Sequence, residues 1–116
     1  MTDLHSRLFG FIEDDLDRLA NRLSVDFSLQ FEGRSSDYWG EYYIDRSNRY
    51  EECRLYKNED PLFCSASSPP EEFWFEPDYR EYVSLLSVYG LQESIDDFQR
   101  LLQSKFPESK LLFDKR

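Results

Sequence analysis

The sequence predicts an α+β fold: one domain, residues 1–116, with a mixed, mainly antiparallel sheet of about five or six strands and an N-terminal and a C-terminal helix packed on it. Three features predict it. Tyr82 to Tyr89, YVSLLSVY, is a short, nearly continuous apolar run closed by Gly90, too short for a buried helix. With apolar side chains on both faces it must be covered on both, which makes it the interior strand. Strand candidates separated by hairpin-length turns precede it, and an amphipathic helical pattern stands at each end of the chain.

Taken in order, Leu4, Leu8, Ile12, Leu16, Leu19 and Leu23 recur at spacings of three and four, which predicts a helix from Thr2 to Leu23 with Thr2 as N-cap and Gly10 weakening it. In SVDFSLQFE, Val25, Phe27, Leu29 and Phe31 alternate with polar residues and read as a strand, closed by the turn GRSSD. Tyr38–Arg46 and Arg49–Lys57 read as strands joined by a tight DRSN turn, both with mixed faces that leave register poorly specified. Asn58–Pro70 reads as a loop dominated by Pro, Ser and Asn, its SASS core predicting mobility, Glu72–Glu76 as a short strand, and PDYRE as a turn into the central strand. Leu91–Phe106 is the second helix, with Leu91, Ile95, Phe98, Leu102 and Phe106 on one face, Ser94 and Asp97 as a weak capping box, and Pro107 ending it. Lys110–Lys115 is a last strand. The helix before it allows a crossover that sets these last two strands parallel or nearly neighbouring.

Composition bounds the function. An aromatic content of 17% argues for a packed core rather than an acidic disordered tail. A net charge of −10 repels nucleic acid and anionic membranes, whose binding needs a basic patch. No apolar segment approaches membrane-spanning length, and the N-terminus lacks the basic-then-apolar order of a signal peptide. Cys53 and Cys64, without such a signal, fit a reducing compartment, so a cytoplasmic protein is expected.

Catalytic chemistry finds no foothold. The only histidine, His5, falls on the polar side of the predicted first helix and reads as solvated; one His and two scattered Cys cannot build a zinc cage. Asp14, Asp15, Asp17, Asp96 and Asp97 read as solvated helix faces without a calcium-loop spacing. A carboxylate pair such as Glu41 with Glu52 has no specificity in so acidic a sheet, and the four glycines are isolated rather than clustered to cradle phosphate. The expectation is a protein that is not an enzyme and uses no metal or cofactor.

Where a nucleic-acid binder interleaves aromatic residues with Lys and Arg, this chain interleaves them with Glu and Asp. From Pro69 to Tyr82, five acids (Glu71, Glu72, Glu76, Asp78, Glu81) face one base, Arg80, among Phe73, Trp74, Phe75, Tyr79 and Tyr82. Asp37 to Asp60 carries seven acids against four bases, with Trp39 and several tyrosines. Rings ringed by carboxylates suit an interface to a basic protein: the rings supply desolvated anchors and the charges fast, selective encounter. Phe73 and Phe75 are read as core; Trp74, Tyr43 and Tyr79 could serve either core or interface. The expected contact is Glu71, Glu72, Trp74, Glu76, Asp78 and Tyr79, with Glu51, Glu52, Glu59 and Asp60 as a second candidate surface.

The small acidic chain, its WGEYYID and RYEECRLYKNED strands, and PDYREYVSLLSVYG leading into an amphipathic helix resemble bacterial toxin-immunity proteins, nearest to the contact-dependent growth inhibition immunity type. The resemblance is one of style over most of the chain. It implies a cytosolic protein that binds one cognate toxin domain, often a basic nuclease, and blocks its active site; a monomer that binds neither nucleic acid nor membrane is expected. A second expectation from the charge alone is a phage-type acidic mimic of nucleic acid that inhibits a DNA-binding protein. A third, a small enzyme, would need a deep pocket of perturbed carboxylates.

Overall fold

A computed structural model describes residues 4–36, 40–59 and 76–115. It has the predicted class: one six-stranded sheet with two helices on it. The elements run β1 (Leu4–Phe11), α1 (Leu16–Phe27), β2 (Phe31–Ser36), β3 (Gly40–Asp45), β4 (Glu52–Lys57), the 3-10 turn Pro77–Tyr79, β5 (Ser84–Leu91), α2 (Gln92–Lys105) and β6 (Lys110–Lys115). The sheet order is β2-β3-β4-β5-β1-β6, and every pairing is antiparallel. β5 and β6 both run antiparallel to β1, so they are parallel to each other with β1 inserted between them, as the crossover helix allows.

The interior strand is where the sequence places it. β5 lies between β4 and β1, and Ser84, Leu85, Leu86 and Val88 are fully buried. Leu86 and Val88 face the helices, whereas Leu85 joins Leu8 and Tyr56 in a second, smaller cluster on the opposite side. Gly90 does not close the strand, which continues to Leu91 before α2 begins.

The N-terminal helix is the main correction. Residues 4–11 form a strand, and the helix starts at Leu16. The spacing of Leu4, Leu8 and Ile12 suits a helix only if nothing interrupts it, yet the stretch from Arg7 to Phe11 is buried on both faces, as an interior strand requires. Ile12 is 62% exposed and shares no face with Leu16. Asp15, not Thr2, is the N-cap, its carboxylate accepting from Arg18 N–H at 3.1 Å. Gly10 does not weaken a helix; it makes room in a strand, since a Cβ there would come within 2.6 Å of the Tyr82 ring.

The expected strand at Ser24–Glu32 is displaced for a related reason. Leu16, Leu19, Ala20, Leu23 and Phe27 continue one helical face to Phe27, leaving Val25 74% exposed. Ser28, left-handed at φ 55°, ends the helix with its N–H on Ser24 C=O. The strand then occupies Phe31–Ser36, including most of the predicted turn. DRSN is a turn, held by Asp45, which accepts from Ser47 N–H (3.0 Å), Ser47 Oγ–H (2.6 Å) and Gln30 N–H (2.8 Å). α2 has no side-chain N-cap, so the Ser94–Asp97 box is not used, and Leu91 stands outside the helix.

The main core lies between the sheet and both helices. Phe98 is its hub, meeting Phe27 at 4.6 Å, Tyr50 edge-on at 5.4 Å and Phe9 at 5.8 Å between ring centroids. Beside it Arg7, 6% exposed, reaches from β1 to Asp96 (2.7 Å) and Gln99 (3.1 Å) on α2. His5, read as solvated, is instead a buried residue of β1, 4% exposed on the helix-facing side.

Candidate functional site

β1 leaves the sheet, β4 leaves it and β5 enters it at the same end, so the segments attached there are forced together. Each is acidic. The β1–α1 connection carries Glu13, Asp14 and Asp15, with Asp17 in the first helical turn; β4 runs into Asn58 and Glu59; the segment entering β5 carries Glu76, Asp78 and Glu81.

Hydrogen bonds lash these three segments to one another. Val83 N–H donates to Phe11 C=O at 3.0 Å, and Ser84 Oγ–H donates to Glu13 C=O at 2.7 Å. Asn58, 0% exposed, holds the turn from the other side. Its N–H donates to Val83 C=O (2.8 Å), its amide Nδ2 to the carbonyls of Glu76 (3.3 Å), Tyr79 (3.0 Å) and Tyr82 (3.1 Å), and its Oδ1 accepts from Glu76 N–H (2.6 Å). A buried Asn so fully paired acts as the template for the turn. Tyr79 and Tyr82 lie half-buried against Leu8, Tyr56 and Leu85, so the turn is anchored by its rings and offers Asp78 and Glu81 to solvent.

The electrostatics follow. Burial, and then the carboxylate of Asp78, push the Glu76 carboxyl above its ordinary range. On the helix-facing side, a cleft of about 560 Å³ lies between the start of α1 and strands β2 and β3. Asp14, Asp15, Asp17 and Glu41 line it, with Tyr42, Tyr43, Arg34 and Lys57. Tyr43 O–H donates to Asp17, and this bond, with burial second, pushes the phenol up to about 12.

The predicted contact residues are therefore regrouped. Glu76, Asp78 and Tyr79 stand together, and Glu59, assigned from sequence to the second surface, joins them through its neighbour Asn58. Glu51 and Glu52 sit at the far end of β4, about 20 Å away at the usual strand rise. There Glu52 pairs with Arg54 at 2.7 Å and lies opposite Tyr89. Tyr79 is an anchor of the second cluster, its O–H donating to Leu112 C=O at 3.5 Å. Tyr43 is a half-buried neighbour of the main core. Glu71, Glu72, Trp74 and Asp60, together with the rest of the predicted 58–70 loop beyond Glu59, the body of the Glu72–Glu76 strand, Trp39 and Cys64, lie outside the described residues.

Sequence reasoning missed two things here. It filed Asn58 with the loop, and it read Asp14, Asp15 and Asp17 as an anonymous helix surface. The signals were local: an Asn directly after a strand, and an Asp three residues before Arg18 where the helix begins.

Glu41 and Glu52 face opposite sides of the sheet and form no pair across a shared site. Among the described residues no three His, Cys, Asp or Glu side chains converge to hold a metal ion, and no helix is long and apolar enough to cross a membrane. Cys53 is a buried residue of the main core, and its burial raises the thiol well above its ordinary value. No protein-family model matches the chain, and no curated protein is recognisably similar to it.

Proposed function

We propose that this protein is an immunity protein that binds a cognate toxin domain of basic character, of the nuclease class, and neutralises it by occluding its active site. The observation that carries the reading is the gathering of Glu13–Asp15, Glu59 and Glu76–Glu81 at one end of the sheet by Asn58, Ser84 and Val83. A rigid backbone holds these carboxylates in place before the partner arrives, so little ordering entropy opposes association. Their shared sign, on a chain of net charge −10, steers a cationic surface toward that end. Glu76 adds a reason for affinity: a partner's Lys or Arg beside it relieves its repulsion with Asp78.

Replacing Glu59, Glu76 and Asp78 together by Lys tests the reading. Growth of cells producing a basic nuclease toxin domain that this chain binds is expected to be rescued by the wild type and not by the triple variant. The association rate should fall at least tenfold for the variant, and about as steeply for the wild type on raising salt from low to half-molar. Undiminished rescue by a folded triple variant would sink the proposal. Displacement by the wild type of duplex DNA from several unrelated basic proteins, with no single tight partner, would favour the nucleic-acid mimic instead.

A further inference from the structure

β2 ends the sheet: among the described residues no strand pairs with its outer side. Its pairing with β3 reveals which backbone groups that side presents. Arg46 N–H donates to Gln30 C=O at 2.8 Å, making those two a hydrogen-bonded pair. Such pairs alternate along an antiparallel ladder. In the regular register of β2 and β3, Glu32, Arg34 and Ser36 therefore turn their backbone groups to β3, and Phe31, Gly33 and Ser35 turn theirs outward.

The side chains of these outward-turned residues belong to the helix-facing side, because Gly33 stands opposite Tyr43, which reaches Asp17 on α1. The cleft of about 560 Å³ opens at this place, with Gly33 and Ser35 in its wall beside Asp14, Asp15, Asp17 and Glu41. Arg34, also in the wall, is engaged by Glu32 at 2.8 Å. Among the described residues, a Cβ at Gly33 would meet only the Tyr43 ring, at 3.7 Å.

Building on the immunity reading, we propose that an extended basic segment of the toxin adds to β2 as a further strand. Residues facing each other on adjacent strands point to the same side of a sheet. The two toxin residues opposite Gly33 and Ser35, spaced i and i+2, therefore send their side chains over the acidic cleft, and Lys or Arg is the chemistry that fits. The backbone supplies the affinity of strand addition and the carboxylates supply the selection. A second copy of this chain is the competing occupant, since antiparallel pairing about Gly33 would set Glu32 against Arg34 of the other copy. It is disfavoured because two chains of net charge −10 repel, and the joined sheet would carry both acidic clefts on the same side.

The test needs no toxin. A synthetic peptide of alternating Thr and Lys, with a Thr/Glu peptide as control, is titrated into the full chain at low salt while amide exchange is followed by NMR. The Lys peptide should slow exchange at Gly33 and Ser35 about tenfold or more, and the Glu peptide should not. Gly33→Pro removes an N–H that β3 does not use, a change an edge strand accommodates, and should weaken Lys-peptide binding at least tenfold. Asp17→Asn with Glu41→Gln should weaken it as well, independently of any backbone effect of the proline. Unchanged exchange at Gly33 and Ser35, or equal binding by both variants, overturns the proposal. So does a wild-type dimer in sedimentation that Gly33→Pro converts to monomer. If the peptide docks at β2 while growth rescue is indifferent to the Lys triple variant, strand addition stands and the immunity reading falls; the reverse result removes strand addition alone.

Discussion

At the scale of single residues, Asn58 does more for the candidate site than any carboxylate in it. Five hydrogen bonds converge on one buried residue, four of them on its side chain. Asn58→Ala takes the partner from Glu76 N–H and Tyr82 C=O, whereas the Glu76 and Tyr79 carbonyls keep the N–H groups of Tyr79 and Tyr82; each polar group left unpaired costs about 1–3 kcal/mol. A loss of about 2–4 kcal/mol in urea unfolding is expected, together with faster amide exchange across residues 76–83. Glu76 gives a pH signature of unusual sign. Its carboxyl is raised in the folded protein, so as pH rises from the ordinary carboxylate value through the raised one, the unfolded chain ionises first and the native state holds more protons. Stability therefore falls with rising pH across that window, opposite to a carboxylate held by a cation. Glu76→Gln should be more stable than wild type at neutral pH, the gain disappearing below the ordinary Glu value, as measured by unfolding midpoints against pH.

At the scale of elements, α1 shows how a local signal can outweigh a longer pattern. Six apolar residues at helical spacing point to one helix from Thr2, but the chain caps at Asp15 and spends Leu4–Phe11 as a strand. A helix through Gly10 would have buried only one stripe of a segment that holds Phe9 and Phe11 on one side and Leu8 on the other. Asp15→Ala should lower stability by about 1 kcal/mol in chemical denaturation, whereas Asp15→Ser or Asp15→Asn, which can still cap, should leave it nearly unchanged. The strand-like alternation at Val25–Phe31 failed similarly, because Phe27 satisfies period two and the α1 face alike. By contrast β3, β4, β5, α2 and β6 were legible within a few residues. Their apolar runs are short and bounded by Pro107, the DRSN turn and polar clusters, so few alternatives compete.

At the scale of the whole molecule, the sheet order puts the first strand next to the last two, and that long-range pairing creates the acidic end. β1 pairs with residues some 80 positions away in β5, and loop-closure entropy must be met before those contacts return anything. The central β5–β1 ladder, buried on both faces, should have the slowest-exchanging amides in the protein, opening only with global unfolding. β2, mostly exposed at the edge, should exchange orders of magnitude faster. Native-state hydrogen exchange measures both, and comparable protection in the two would mean that β2 opens only with the whole sheet, against this prediction.

The sequence by itself determined the α+β class, the interior strand and the acidic, aromatic-rich character, because these rest on composition and on short-range periodicity, which every conformation of the chain carries. The candidate contact was only half legible: Glu76, Asp78 and Tyr79 stood close in sequence, whereas Glu59 was separated from them and Glu13–Asp15 were set aside. Only the tertiary structure decided that these segments meet, that Asn58 fastens them, and that Glu51 and Glu52 lie elsewhere. The physical reason is that strand register and sheet order are set by two-sided burial between distant segments, and no local pattern encodes which strand will lie beside which.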